Sequence, residues 1–410
     1  MKVPRCKGMR DLTPGDMEKF RRIEAAFSGC CLGWGYREIR TPVLEYLHLF
    51  TSAGTLSPDM LGRVYSFLDW DGWSGERVVL RPDGTIPTAR LYVENFQDSS
   101  VARFFYVENV FAFEGAGERP RERWQCGAEL IGGSKPEGDV ELLSLALETF
   151  DSLGLGPVEL RIAHAGVLKV FLEAMGLSGE EEAEILEQVF AGRREVVREI
   201  KGADPELGRQ LEMLFSLRGG TPGFVENLRG AFGSVLPGLE PSLDELARVA
   251  ELLTGSGRRY QIDFTSGRGF EYYTGIIFGF HTDRRRLGGG GRYDELIPLV
   301  GGSEVSASGF ALYIDEMVDI LPEQPEPVRI LIRARDGEGL RESLELAKSL
   351  RAAGFVAEFD LGCSDTSGFR WVADLRGGSA IELVDTSTGK SQRSMTADEL
   401  LAVLKGDTRG

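Results

Sequence analysis

The segments FFYVENVFAFE (104–114) and WQCGAELIGG (124–133) decide the fold. Both are predicted to be strands, and strand patterns dominate from the end of the first helix to about residue 132, with RVVLRPD (77–83) among them. Such a series, in which apolar and polar residues alternate, indicates an antiparallel sheet with one covered face.

Helical patterns surround and interrupt these strands. Residues 15–33 are predicted to form a long helix that ends at Gly33 and Gly35, and residues 139–153 a second one. Residues from about 167 to 253 are almost wholly helical in pattern, and we interpret them as a helical insertion. Strands return at RRYQIDF (258–264) and EYYTGIIFGFH (271–281), and a final helix is predicted after Ser308. One antiparallel sheet, flanked by helices, is therefore interrupted by a helical module.

A domain boundary is predicted at the proline-punctuated run LPEQPEPV (321–328). Beyond it, the strand VRILIRA (328–334), a helix from about 339 to 353 and the strand FVAEFDL (355–361) are expected, followed by another helix and the strand SAIELVD (379–385). This alternation is typical of a small α/β domain with a mostly parallel sheet. We therefore predict domains at 1–322 and 328–410.

Composition narrows the class of protein. The 410 residues are 42% hydrophobic and 27% charged, as in ordinary globular proteins. A formal net charge of −17 disfavours a protein whose main task is to hold a phosphate backbone. No stretch approaches the length of a membrane span and the N-terminal residues lack the apolar core of a signal peptide, so we expect a cytoplasmic protein. The five cysteines and three histidines show no metal-ligand spacing.

Six motifs in order resemble histidyl-tRNA synthetase and its paralogues. They are KGMRDLTP (7–14), RTPVLE (40–45), LRPDGT (80–85), WQCGAELIG (124–132), RGFEYYTG (268–275) and GGGGRYDEL (288–296). The resemblance covers nearly the whole chain. It implies an α+β class II aminoacyl-tRNA synthetase fold with a C-terminal domain like the anticodon-binding one, assembled as a dimer through the helix and strand of the first motif.

Polar residues on segments otherwise patterned for burial indicate a pocket. Asp83, Gln125 and Glu129 are of this kind, and a buried acid needs a cation or a donor to meet it. An ammonium and an imidazole would both serve. The alternative is structural: Gln125 and Glu129 could satisfy backbone groups at a sheet edge, and Gly288 to Gly291 could form a hairpin turn.

The resemblance assigns this pocket to histidine. It places the amino group and ring of the ligand near the matching acidic and amide positions, its imidazole end near the tyrosines and its carboxylate near the arginine. The family usually has Glu where this chain has Asp83, whose side chain reaches less far. The histidine-binding residues implied in this way are Asp83, Thr85, Gln125, Glu129, Arg268, Tyr272 and Tyr273.

Two cations that adenylation requires are missing. The charge that develops at the ATP α-phosphate needs preorganised arginines. By resemblance, the first would stand at Ala112 and the second at Glu316, and Tyr313 replaces a glycine that leaves room for adenine. Arg119 and Arg121 remain in the loop after the altered strand. They could bind an anion, either a carboxylate or a phosphate, or remain solvated at the surface.

A synthetase-like fold without these cations resembles the regulatory subunits that pair with the short catalytic form of ATP phosphoribosyltransferase. The resemblance implies a non-catalytic subunit with no cofactor or metal, which forms a homodimer within a hetero-oligomer, binds L-histidine and contributes to feedback in histidine biosynthesis. Binding of tRNA is not expected. The alternatives are a working histidine–tRNA ligase and a paralogue that senses histidine without any phosphoribosyltransferase.

Overall fold

The structure is a computed structural model that divides into two units, Met1–Leu321 and Pro322–Gly410. Each unit packs around its own apolar core and is described by itself. The residues described are 4–53, 62, 64–70, 75–113, 120–177, 179–190, 192–200, 204–266, 273–283, 285–324, 327–334, 339–362, 365–375 and 380–407.

The first unit contains two β-sheets, and along the sequence its helices flank and interrupt the strands. Its strands are β1 (Arg37–Glu38), β2 (Leu44–Tyr46), β3 (Ser66–Trp70), β4 (Gly75–Leu80), β5 (Ala102–Phe111), β6 (Glu122–Ile131), β7 (Glu159–His164), β8 (Gln261–Ile262), β9 (Ile276–His281), β10 (Arg286–Arg292) and β11 (Ala307–Tyr313). Its α-helices are α1 (Pro14–Gly33), α2 (Leu47–Ser52), α3 (Thr85–Asn95), α4 (Glu137–Leu153), α5 (Ala165–Ala174), α6 (Gly179–Phe190), α7 (Pro205–Ser216), α8 (Pro222–Phe232), α9 (Glu240–Gly255), α10 (Leu296–Leu299) and α11 (Ile314–Ile320).

The main sheet has eight strands in the order β1-β5-β6-β11-β10-β9-β7-β8. Its inner pairs are antiparallel, and only the two end pairs, β1 with β5 and β7 with β8, are parallel. One face of this sheet is apolar and packs against α1 and α4. The other face is left for polar side chains. A smaller antiparallel sheet, in the order β2-β4-β3, belongs to the same unit.

Helix α1 shows how local sequence and packing agree. Thr13 and Asp16 form a reciprocal capping box and Pro14 occupies the first turn, which satisfies amide groups that a helix start leaves unpaired. Four residues at helical spacing, Phe20, Ile23, Phe27 and Cys31, are buried against the apolar face of the sheet. The helical module follows β7: α5 to α9 occupy 165–255, with short 3₁₀ turns at Arg194–Arg198 and Pro237–Leu239.

The prediction of a helix directly after Ser308 is wrong. Residues Ala307–Tyr313 form β11, paired with both β6 and β10, and helix α11 begins only at Ile314. The run GFALY is short and apolar, and such a run fits a buried strand as well as a buried helix. Pairing with two neighbouring strands decides the outcome here.

The second unit has a five-stranded sheet with two helices on one face. Its elements are β12 (Arg329–Ala334), α12 (Leu340–Ala352), β13 (Val356–Phe359), β14 (Trp371–Leu375), β15 (Ile381–Asp385), β16 (Ser391–Met395) and α13 (Ala397–Asp407). Two sequence predictions are corrected here. The segment expected to be a helix before SAIELVD contains β14, and the sheet is mixed, with β13-β12-β14 parallel and β14-β15-β16 antiparallel. The segment WVADL carries Trp and Val, which suit a strand, and its pairing with β12 and β15 overrides the expected alternation.

Within the described residues, no helix has both the length and the apolar character that crossing a membrane requires.

Candidate ligand-binding site

Strand register brings small residues together on the polar face of the main sheet. Cross-strand partners share a face, and here Gly309 pairs with both Glu129 and Gly291, while Gly289 pairs with Ala311 and Gly279. We call this surface the glycine floor, defined by Gly127, Gly279, Gly289, Gly291 and Gly309. The run Gly288 to Gly291 is thus part of strand β10, and the hairpin-turn interpretation is wrong.

Glu129 is the central acid of this face. It is 1% exposed, and three hydroxyl groups donate to its carboxylate. Thr85 Oγ1 lies 2.8 Å and the Tyr106 hydroxyl 3.1 Å from Oε1, and the Tyr293 hydroxyl donates to Oε2. Burial raises the pKa of Glu129 to about 8, although these hydrogen bonds lower it. A buried carboxylate of this kind, served by neutral donors, is suited to receive a cationic group.

Glycines create the space that Glu129 and its partners occupy. A Cβ at Gly309 would overlap Glu129 Oε2 and would lie 2.7 Å from the Ala128 carbonyl oxygen. A Cβ at Gly84 or Gly127 would overlap the ring of Tyr106, which is completely buried. The glycine content of these strands therefore has a steric cause.

Tyr106 and Tyr293 were missed by the sequence analysis. Tyr106 lies on β5 in the segment FFYVENV, and Tyr293 directly follows the glycine-rich strand in GGGGRYDEL. The only available signal was a hydroxyl-bearing aromatic within each buried run, since a buried Tyr usually finds a partner for its hydroxyl.

Asp83 lies beside the Glu129 carboxylate and accepts a hydrogen bond from the first turn of helix α3. Its Oδ1 accepts from the Ile86 amide at 2.9 Å, and its negative charge contributes to the raised pKa of Glu129. Burial also raises the pKa of Asp83 itself, to about 6, against the lowering effect of the backbone amides. Two acids with raised pKa values next to each other are typical of a functional site.

The remaining predicted residues take different places. Gln125 is 8% exposed and lies across from Tyr313 on β11, on the face that bears Glu129. The ring of Tyr273 packs over Gly291, where a Cβ would lie 2.7 Å from its Cδ1, and burial raises the pKa of its hydroxyl. Arg268, Tyr272 and Arg119 lie outside the described residues.

Arg121 packs against aromatic side chains. Its guanidinium lies 4.3 Å from the ring centroid of Phe113, and its Nη1 donates to the Tyr65 hydroxyl at 3.3 Å. Its backbone amide donates to the Gly8 carbonyl at 2.7 Å. Arg121 is therefore anchored by stacking and hydrogen bonding, and anion binding by this side chain remains a prediction.

Ala112 and Glu316 stand at the two positions that the resemblance to synthetases matches to adenylation arginines. Ala112 follows the last residue of β5, and Glu316 lies in α11 with its carboxylate 2.9 Å from Arg285 Nη1. The same Nη1 lies 2.7 Å from Asp319 Oδ2. Arg10 Nη1 also lies 3.7 Å from Asp319 Oδ1, so the two carboxylates are both paired with arginines.

Two buried ion pairs involve residues of the main sheet, Glu108 on β5 and Arg292 on β10. Arg81 and Glu108, 3% and 2% exposed, are 2.8 Å apart, and Glu108 also accepts from the amide and hydroxyl of Thr41. Arg292, with a fully buried side chain, contacts Asp139 at 2.8 Å. Since buried charges persist only when they are paired, both pairs are structural elements of the site.

The fold and the site define a class II aminoacyl-tRNA synthetase-like protein. The histidyl-tRNA synthetase family model matches residues 8–317. An ATP phosphoribosyltransferase regulatory subunit from Dehalococcoides mccartyi is 42% identical over 409 residues, which are 99% of either chain. A histidine–tRNA ligase from Methanosarcina acetivorans is 31% identical over 361 residues, 86% of this chain and 83% of the ligase.

A solved structure agrees with these sequence relationships. An ATP phosphoribosyltransferase regulatory subunit/histidyl-tRNA synthetase from Bacillus halodurans superposes with a TM-score of 0.77 at 28% identity, covering 92% of this chain and 99% of the other. The chain belongs to the family of ATP phosphoribosyltransferase regulatory subunits, which shares the histidyl-tRNA synthetase fold.

Proposed function

We propose that this chain is a non-catalytic cytoplasmic subunit that activates the short catalytic form of ATP phosphoribosyltransferase and contributes to histidine feedback at the first step of histidine biosynthesis. One observation carries the proposal: the acidic pocket around Glu129 is intact, whereas the two adenylation positions hold Ala112 and Glu316. The family relationship supports the same assignment.

The missing cations argue against catalysis by the chain itself. Removing a single preorganised donor to a charged transition state costs about 3 kcal/mol, and two are absent here. Glu316 adds a carboxylate where ATP would bring its own negative charge, and its neighbour Arg285 already contacts both Glu316 and Asp319. Adenylation is therefore strongly disfavoured, while amino-acid binding needs none of these groups.

Feedback requires that histidine bind one assembly state better than another. A coupling free energy of about 1–3 kcal/mol between the two sites is typical of allosteric proteins. The pocket in this chain supplies the ligand-binding half of that coupling, with L-histidine as the proposed ligand.

We also propose that the chain forms a homodimer within the hetero-oligomer. Leu44, Tyr46 and Phe67 lie on one face of the small sheet and are 45%, 49% and 46% exposed in the single chain. An exposed apolar face of this kind favours burial against a second copy.

Co-purification with a short ATP phosphoribosyltransferase chain tests the assignment. We expect a complex, catalytic activity that depends on this subunit, and inhibition by histidine that also requires it. Mixing that yields no complex and no activation would contradict the proposal. A pyrophosphate-exchange assay with histidine tests the rival synthetase activity, and robust exchange would favour that rival instead.

Histidine binding is expected to release a proton from Glu129. With a pKa of about 8, the carboxyl is mostly protonated at pH 7, and an ammonium group that binds the ionised form displaces about 0.9 proton at that pH. Affinity should therefore rise as the pH increases from 6 to 8. Calorimetry in buffers with different ionisation enthalpies measures the release. A value near zero at pH 7 would show that Glu129 keeps its proton and does not meet a cation.

A further inference from the structure

Donor groups gather on the glycine floor away from Glu129. Arg286 on β10 and His281 on β9 are cross-strand partners, and Arg161 on β7 pairs with Gly279 of β9. These three side chains therefore share the face that carries Glu129. The resemblance to synthetases assigns no role to any of them.

Arg286 lies across the floor without an acidic partner in the described part of the chain. Its Nε donates to the Gly288 carbonyl at 3.2 Å, and a Cβ at Gly289 would overlap its Nη2. The preceding residue, Arg285, contacts two carboxylates instead. The guanidinium of Arg286 thus presents its charge over the glycines, where an added anion would neutralise it.

Two buried nitrogen atoms beside Arg286 are unsatisfied. Neither His281 Nε2 nor Arg161 Nε has a hydrogen-bond partner among the described residues. Arg161 is paired through its Nη2 with Glu159, the cross-strand partner of His281, at 2.8 Å and through its Nη1 with Asp263 at 3.8 Å. Buried polar atoms in native proteins nearly always have partners. Both donors would be satisfied by oxygen atoms of a ligand.

The electrostatics of His281 agree with this interpretation. Burial and the neighbouring Arg161 and Arg286 lower the pKa of His281 to about 4, while Glu159 and Asp263 oppose the shift. The imidazole is therefore neutral at pH 7 and can donate through one nitrogen without adding charge. An anion between these groups would raise the pKa of His281.

The distance from this cluster to Glu129 matches a small amphoteric ligand. Glu129 Oε2 lies over Gly309 and Arg286 Nη2 over Gly289, one strand and two residues away. Standard strand spacings put these two positions about 8 Å apart. An α-amino acid with about 3 Å between its ammonium and carboxylate, plus two hydrogen bonds of about 2.9 Å, spans about 9 Å.

We propose that Arg286, His281 and Arg161 form a subsite for an anionic oxygen group on the glycine floor. The group is the carboxylate of the amino acid bound at Glu129, or a phosphate. The first alternative gives Arg286 a contact with the carboxylate that the resemblance to synthetases places near Arg268. The proposal that the anion is an amino-acid carboxylate rests on the proposed histidine-binding function, whereas the proposal that it is a phosphate does not.

Calorimetry with L-histidine and histidinol, which lacks the carboxylate, tests the first source. We expect Arg286→Gln to weaken histidine binding by about 10- to 100-fold and to leave histidinol binding unchanged, because one charge-assisted contact is lost. Arg285→Gln is the matched control, since it removes the adjacent arginine, and it should bind histidine as the wild type does. Melting curves confirm that both variants are folded.

Inorganic phosphate tests the second source. If histidine binding is unchanged in Arg286→Gln, the subsite requires that phosphate bind the wild type and not the variant. Bound phosphate must also raise the pKa of the His281 imidazole. NMR measures that pKa, because the chain has only three histidines. If Arg286→Gln changes neither histidine nor phosphate binding, the subsite is refuted. Wild-type protein that binds phosphate but not histidine would overturn the histidine assignment and keep the subsite. Binding of neither ligand by the wild type would overturn both.

Discussion

Replacing Arg292 by methionine is expected to destabilise the first unit by about 3–5 kcal/mol. The guanidinium is completely buried, and its Nε and Nη1 donate to Asp139 at 3.0 Å and to Asp294 at 3.1 Å. Asp139 is 2% exposed, so the substitution leaves a buried carboxylate without its cation. Urea unfolding followed by hydrogen exchange of peptides from β10 measures the loss in the unit that holds Arg292.

Two controls separate the buried pair from charge in general. Arg341→Ala removes an exposed ion pair with Glu345 in the second unit and should change stability by less than about 0.5 kcal/mol. The double variant Arg292→Met/Asp139→Leu should recover part of the loss, because no unpaired charge remains. Equal stability of Arg292→Met and wild type would contradict the structural role of this pair.

Removing the carboxylate of Glu129 is expected to weaken histidine binding by at least about 30-fold. Truncating one member of a buried charge pair typically costs about 2–5 kcal/mol in binding. In Glu129→Ala, the hydroxyls of Thr85, Tyr106 and Tyr293 also lose their common acceptor. Calorimetry at pH 7.5, where the wild-type carboxyl is partly ionised, measures the change.

Matched variants show whether charge or shape is responsible. Glu129→Gln keeps the shape of the side chain but not its negative charge, and it should lose most of the affinity as well. Glu94→Gln alters an exposed acid that is paired with Arg90, and it should bind histidine normally. Unchanged affinity in Glu129→Ala would refute the role of this residue as the main anchor.

Much of the candidate site could be predicted from local sequence, but its hydrogen-bond partners could not. Glu129 and Asp83 were identifiable as acids within buried runs, and the structure places them side by side. Tyr293 lies 164 positions from Glu129 along the chain, and the contact exists only because β6, β11 and β10 pair in one register. A shift of one residue would turn each of these side chains to the opposite face.

The ion pair between Glu316 and Arg285 likewise could not be predicted from local sequence. The resemblance to synthetases predicts that a carboxylate stands where adenylation needs a cation, and this prediction depends on residue identity alone. That Arg285 pairs with this carboxylate depends on how the residue before β10 lies against α11, since Arg285 and Glu316 are 31 positions apart in sequence. The donor cluster around Arg286 likewise becomes visible only once β9 and β10 are paired.

The sequence by itself determined the class of fold and predicted an acidic pocket and the loss of two cations, because each depends on residue type, order or local periodicity. Tertiary structure alone decided that 307–313 is a strand, that the second sheet is mixed and that three hydroxyls converge on Glu129. Strand pairing joins distant segments, and its free energy depends on neighbours that no local pattern specifies.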